Sequence, residues 1–293
     1  MTSIKAFIKG HPVAAYFVLA FAISWGGILL VVGPGGFPGT PEQFETLLPL
    51  VGLAMLIGPP VAGILLTSLV NGRAGLREFL SRLLRWRVGV RWYAVALLTA
   101  PLLMLTVTPL VLSLLFPEFL PRICTSADKA SLVLFGIAMG LMAGVFEELG
   151  WTGFAVPTLR LRYSVLSTGL IVGVMWGAWH FLVNIWSSGN SSGDISLLLF
   201  LHSFLFSVGV LPAFRVLMVW VYERTESLLV AILMHASLTT GNILLVPLAT
   251  GTALVSWSLV LAAALWAVVA AVAVAQGGHL SRQPRTPLWR RMA

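Results

Sequence analysis

Eight apolar stretches separated by polar connections run along the chain, at about 12–32, 48–70, 93–116, 130–154, 164–186, 197–221, 227–246 and 256–275. A helix needs about 20 apolar residues to cross the hydrocarbon core of a bilayer, and each stretch is near that length. The pattern predicts an all-α, polytopic membrane protein with about eight transmembrane helices. The first stretch follows Lys5 and Lys9, as the apolar part of a signal peptide would. It is too long for that and lacks a clear small-residue cleavage site, so it is read as an anchor.

The connection at 71–92 has a pattern of its own. Leu76, Phe79, Leu80, Leu83 and Leu84 recur at helical spacing, with arginines on the remaining faces. This predicts an interfacial amphipathic helix attracted by anionic headgroups, or else a basic linker whose side chains snorkel. The chain then divides into 1–126, N-terminal helices with the basic segment; 127–250, a catalytic core; and 251–293, a last helix with a basic tail.

Charge fixes orientation. Lys5 and Lys9, the arginines of 71–92, Arg160 and Arg162, and the tail residues Arg282, Arg285, Arg290 and Arg291 fall on alternate connections. The positive-inside bias therefore puts both termini in the cytoplasm of a cell-membrane protein. Composition agrees, since only 10% of the residues are charged and 58% are hydrophobic, against about 25% charged in a soluble domain. The net charge of +8 lies between apolar segments, which makes the lipid bilayer the partner and excludes nucleic acid. A single cysteine, Cys124, excludes an internal disulfide framework and a cysteine-based zinc site.

The chemistry lies where the apolar pattern is broken. Glu147 and Glu148 end the apolar run Ala130–Phe146, and His180 and His235 lie inside the fifth and seventh stretches. Ionisable groups are costly in hydrocarbon and mark function by default. Gly136, Gly140 and Gly144 form a ridge that continues into Glu148, and Gly169, Gly173 and Gly177 form another that leads to His180. Such ridges are ordinary in membrane packing; a polar group at the end of both also lets close-packed helices bring those groups together. Trp151 and Trp179 adjoin the polar groups as cavity walls, and Pro59-Pro60 predicts a kink whose freed backbone is satisfied by neighbours.

Three segments carry a family resemblance: Glu147-Glu148-Leu149-Gly150-Trp151-Thr152-Gly153, Trp176-Gly177-Ala178-Trp179-His180, and His235-Ala236-Ser237-Leu238-Thr239. In order, spacing and placement they resemble the CAAX-protease and bacteriocin-processing family (CPBP, or ABI) of intramembrane proteases. The family has an Arg four positions after the second Glu, where this chain has Thr152. It has Asn or Asp four positions after the last His, where this chain has Thr239. Arg215, in the sixth stretch, can supply the missing cation, and Asn242 the missing amide.

The resemblance implies that Glu147 activates water for peptide hydrolysis. His180 would orient that water or bind a metal, and His235 with Thr239 or Asn242 would donate to the oxyanion. Glu148 would be a structural or electrostatic partner. Glu147, His180 and His235 also make a zinc set with an open position for water, although the compact His-Glu-x-x-His signature is absent. The reading leans to glutamate-activated water without an obligatory metal. The implied substrate is a membrane-anchored protein or peptide, prenylated if the chain acts as a CAAX protease. Two other classes stand beside it: a non-catalytic immunity or scaffold protein, favoured by Thr152 and Thr239, and a transporter with a proton relay, which lacks the internal repeat expected of that class.

Overall fold

The computed structural model describes residues 4–107, 120–246, 251–278 and 280. Among these the chain is helical, apart from turns and an isolated antiparallel bridge between Gly189 and Ile195. Eight helices are long and apolar enough to cross a membrane: α1 Pro12–Val32, α2 Pro41–Leu83, α3 Val90–Val107, α4 Lys129–Leu159, α5 Val165–Trp186, α6 Leu197–Thr225, α7 Leu228–Leu245 and α8 Thr252–Ala275. The predicted stretches and these helices correspond one to one, and the chain is an all-α, multi-pass membrane protein. The far end of the third stretch, the 247–250 connection and the basic tail from 281 lie outside the described residues.

Helix starts follow the sequence. Thr40 and Gln43 form a reciprocal capping box before α2, Asp128 caps α4 through the Ser131 amide, and Ser227 caps α7 through the Val230 amide. Each cap satisfies an amide that the first turn leaves without an intrahelical partner. The Asp128 bond to Ser131 holds that carboxyl below its ordinary range.

Helix pairing is set by the glycine ridges. The ridge of α4 receives the backbone of α7: a methyl at Gly140 would lie 2.6 Å from the Ala236 carbonyl oxygen, and one at Gly144 2.6 Å from that of Ile232. The ridge of α5 receives α6, with Gly169 against Val216 and Gly173 against Pro212, each 2.6 Å from the Cα. The two ridged helices therefore do not pack along each other. Each recruits the partner that carries its polar counterpart, His235 on α7 and Arg215 on α6. Gly144→Ala, pressed against rigid backbone, is expected to destabilise by about 1–3 kcal/mol, read as a lower Tm in detergent or lipid.

Helix α2 carries Pro59 and Pro60 and stays continuous through them. Pro59 has no amide to offer the Met55 carbonyl, and the Ser24 hydroxyl of α1 donates to that oxygen instead, at 2.6 Å. The direction changes further on, at Gly72, whose φ of 61° suits glycine. Beyond it the predicted interfacial helix forms as far as Leu83. Leu80 and Leu84 are exposed, but Phe79 and Arg82 are buried. The expectation that every arginine here faces outward is corrected: Arg82 donates to the Tyr222 hydroxyl at 2.8 Å and to the Gly153 carbonyl at 3.0 Å. A buried guanidinium requires such acceptors.

Candidate active site

Helices α4, α5, α6 and α7 bring the polar residues together. Glu147 and Glu148 are buried at the end of the regular part of α4, where the helix widens into a π turn, Trp151–Ala155. Such widenings recur at functional sites. Here the turn carries two side chains back to the carboxylates, each at i+4: the Trp151 indole N–H donates to Glu147 Oε2 at 3.3 Å, and the Thr152 hydroxyl donates to Glu148 Oε2.

Each carboxylate has a second set of partners from another helix. Trp176 of α5 donates to Glu147 Oε2 at 2.6 Å, so one oxygen of Glu147 is held by two indoles. Glu148 is held by Arg215, whose Nη1 lies 2.7 Å from Oε2, and by His235, whose Nδ1 lies 2.7 Å from Oε1. Arg215 and Glu148 are both wholly buried. The guanidinium also stacks on the Trp176 ring, 4.1 Å above its centroid, an arrangement favoured for Arg. Thr152 occupies the motif position of the family arginine, and the cation comes instead from α6, opposite Gly173.

These contacts assign proton positions. Ionised Glu148 only accepts hydrogen bonds, so His235 donates to it through Nδ1, and in the neutral ring Nε2 is then an acceptor. That nitrogen faces Glu147 Oε1 at 3.7 Å, too far for a direct hydrogen bond. Two acceptors thus face one another across a gap that a single water can bridge. His180, at the break between the two helical parts of α5, is half-buried, with Nδ1 2.8 Å from the Trp176 carbonyl. A carbonyl also only accepts, so the Nε2 of His180 is likewise a lone pair.

The structure therefore gathers Glu147 with Trp151 and Trp176, and Glu148 with Thr152, Arg215 and His235, into one cluster joined by the stacking of Arg215 on Trp176. His180 stands beside it, its ring 6.0 Å from that of Trp176 between centroids. Thr239 and Asn242, on α7 beyond His235, are half-buried and bond to neither histidine nor glutamate among the described residues. Sequence reading took Trp151 for a wall, whereas it binds Glu147; its i+4 spacing was the available signal. Tyr16 of α1 was not anticipated. Its buried ring packs edge-on against that of Trp151, 5.4 Å between centroids.

Among the described residues no group of three or more His, Cys, Asp or Glu side chains could hold an ion. One oxygen of Glu147 is held by two indoles and one nitrogen of His235 by Glu148, which leaves Glu147 Oε1 and His235 Nε2 open.

Two comparisons with known proteins bear on this cluster. Residues 129–241 match the family model described as type II CAAX prenyl endopeptidase, Rce1-like. Over 228 residues the chain is 24% identical to CAAX prenyl protease 2 of Methanococcus maripaludis, which covers 75% of this chain and 80% of the relative. Both names denote a protease, and the matched segment spans every clustered residue. On motifs, family model and relative together, the chain resembles the CAAX prenyl proteases, and the likeness is centred on residues 129–241.

Proposed function

We propose that this chain is an intramembrane endopeptidase that hydrolyses a peptide bond of a membrane-anchored, prenylated protein near its C-terminus, with Glu147 as general base. One observation carries the mechanism: Glu147 Oε1 and His235 Nε2, both acceptors, face each other at 3.7 Å. A water between them donates one proton to each and turns its lone pairs toward a substrate carbonyl. As the water attacks, Glu147 takes its proton and returns it to the leaving amine nitrogen. The indoles of Trp151 and Trp176 hold the other carboxylate oxygen, which leaves Oε1 for this task. Glu148, neutralised by Arg215, keeps His235 in the required tautomer. Thr239 or Asn242, on the helix of His235, donates to the oxyanion, and His180 Nε2 can accept from the water or from a substrate amide. The reading also has both termini in the cytoplasm and the site open to that side.

The test is cleavage of an internally quenched, farnesylated CAAX peptide by purified protein in proteoliposomes. Cleavage of this peptide, with its unprenylated counterpart spared, supports the reading. Cleavage of neither sinks it. Water activated by Glu147 alone leads to a further expectation: incubation with 1,10-phenanthroline or EDTA leaves the rate unchanged, and a loss restored by added Zn²⁺ would contradict the metal-free mechanism.

A further inference from the structure

The interfacial end of α2 reaches the glutamates without touching them. Arg82 donates one N–H to the Gly153 carbonyl at 3.0 Å and another to the Tyr222 hydroxyl at 2.8 Å. It thus ties the π turn of α4 to the far end of α6. Phe79, one helical turn earlier, lies against Gly153 so closely that a methyl there would be 2.6 Å from its ring. Gly153 is the third residue of the π turn, between Thr152, which bonds Glu148, and the helix that follows. Trp151, two residues before it, bonds Glu147. The second π turn, Phe206–Val210, is gripped similarly: Trp266 of α8 donates to the Gly209 carbonyl at 3.1 Å. A π turn departs from the regular helical ladder, and both here are met by a donor from another helix.

We propose that Arg82 and Phe79 are positioning residues for the glutamate pair: from the membrane interface they fix the π turn whose Trp151 and Thr152 aim Glu147 and Glu148. Arg82 is then the exception among the basic residues of its segment, serving the site and not the headgroups. Arg73 and Arg77 are exposed toward headgroups, Arg87 is exposed and stacks on the Trp86 ring at 5.1 Å, and Arg85 pairs with Glu226 at 2.7 Å. The proposal rests on the proteolytic reading for its effect on rate, and on the contacts alone for its effect on the turn.

The test uses the full chain in proteoliposomes with the farnesylated peptide, alongside hydrogen exchange of backbone amides. Arg82→Met is expected to lower kcat about 10–100-fold, the scale of a small misplacement of reacting groups, with KM changed by less than about twofold. Exchange should quicken across 151–156 while α8 keeps its wild-type protection. Arg82→Lys, able to reach one acceptor, should fall between. An unchanged kcat, or protection lost evenly over the whole chain, overturns the proposal. If Arg82→Met does not assemble, Gly153→Ala decides: it should be slow alone and regain rate when combined with Phe79→Leu, and a double variant as slow as the single overturns the proposal. If the wild type cleaves nothing, the proteolytic reading fails by itself. Exchange at 151–156 in Arg82→Met then still decides whether the turn is held as described.

Discussion

Glu147→Gln is expected to lower kcat for peptide cleavage by about 10²–10⁴-fold, the usual contribution of a positioned general base, with the fold intact. The amide is nearly isosteric, and its carbonyl oxygen can still accept from the indoles of Trp151 and Trp176, which hold the residue at 3.3 and 2.6 Å respectively. Only the proton acceptor facing His235 is lost. Because Glu147 has no cationic partner in direct hydrogen bond, its neutralisation leaves no charge stranded. The Tm of the variant should therefore stay near that of the wild type. Paired measurement of turnover and thermal unfolding separates this outcome from simple misfolding.

Arg215 is expected to behave in the opposite way. Its Nη1 lies 2.7 Å from Glu148 Oε2, with both groups excluded from solvent. Arg215→Met strands the Glu148 carboxylate with only Thr152 and His235, and breaking a buried pair on one side costs about 3–5 kcal/mol. The variant should lose both thermal stability and activity. Two companions distinguish charge balance from packing. Arg215→Met with Glu148→Gln should regain stability without activity, because the neutral amide no longer needs a cation. Arg215→Met with Thr152→Arg should regain part of both, because Thr152 already bonds Glu148 and the removed guanidinium leaves room. Unfolding temperatures of the three variants, with cleavage rates, check the assignment. Equal instability of all three would show that Arg215 acts by volume alone.

Much of the architecture was legible because hydrocarbon is a severe solvent. A spanning segment must satisfy its backbone internally, so length and hydropathy fix eight helices. Boundaries were less visible where polar residues extend a helix past the apolar run, as Pro41–Leu47 extend α2 through the Thr40 cap. The glycine ridges predicted close approach, but one sequence does not say which helix fills a groove. Only packing shows that α4 receives α7 and α5 receives α6.

The site was half legible for the same reason. Glu147, Glu148, His180 and His235 stood out because ionisable groups in apolar helices demand an explanation. Arg215 was visible as a buried-helix cation, and the geometry puts it on Glu148. Trp176 stood out in the second motif and Trp151 as a cavity wall, but one sequence does not show that both indoles converge on the same oxygen of Glu147. Arg82 was obscured by its five arginine neighbours, since nothing in the local pattern marks which of six faces inward. Tyr16 lies about 135 residues before Trp151 and meets its ring only through the fold.

The most direct test of the central claim compares new protein termini, by mass spectrometry, in membranes of cells expressing the wild type or Glu147→Gln at matched levels. The account predicts termini that appear only with the wild type, on proteins anchored in the same membrane. Identical terminus profiles, with Glu147→Gln still restoring any phenotype of a deletion strain, would contradict proteolysis and leave a binding role in its place.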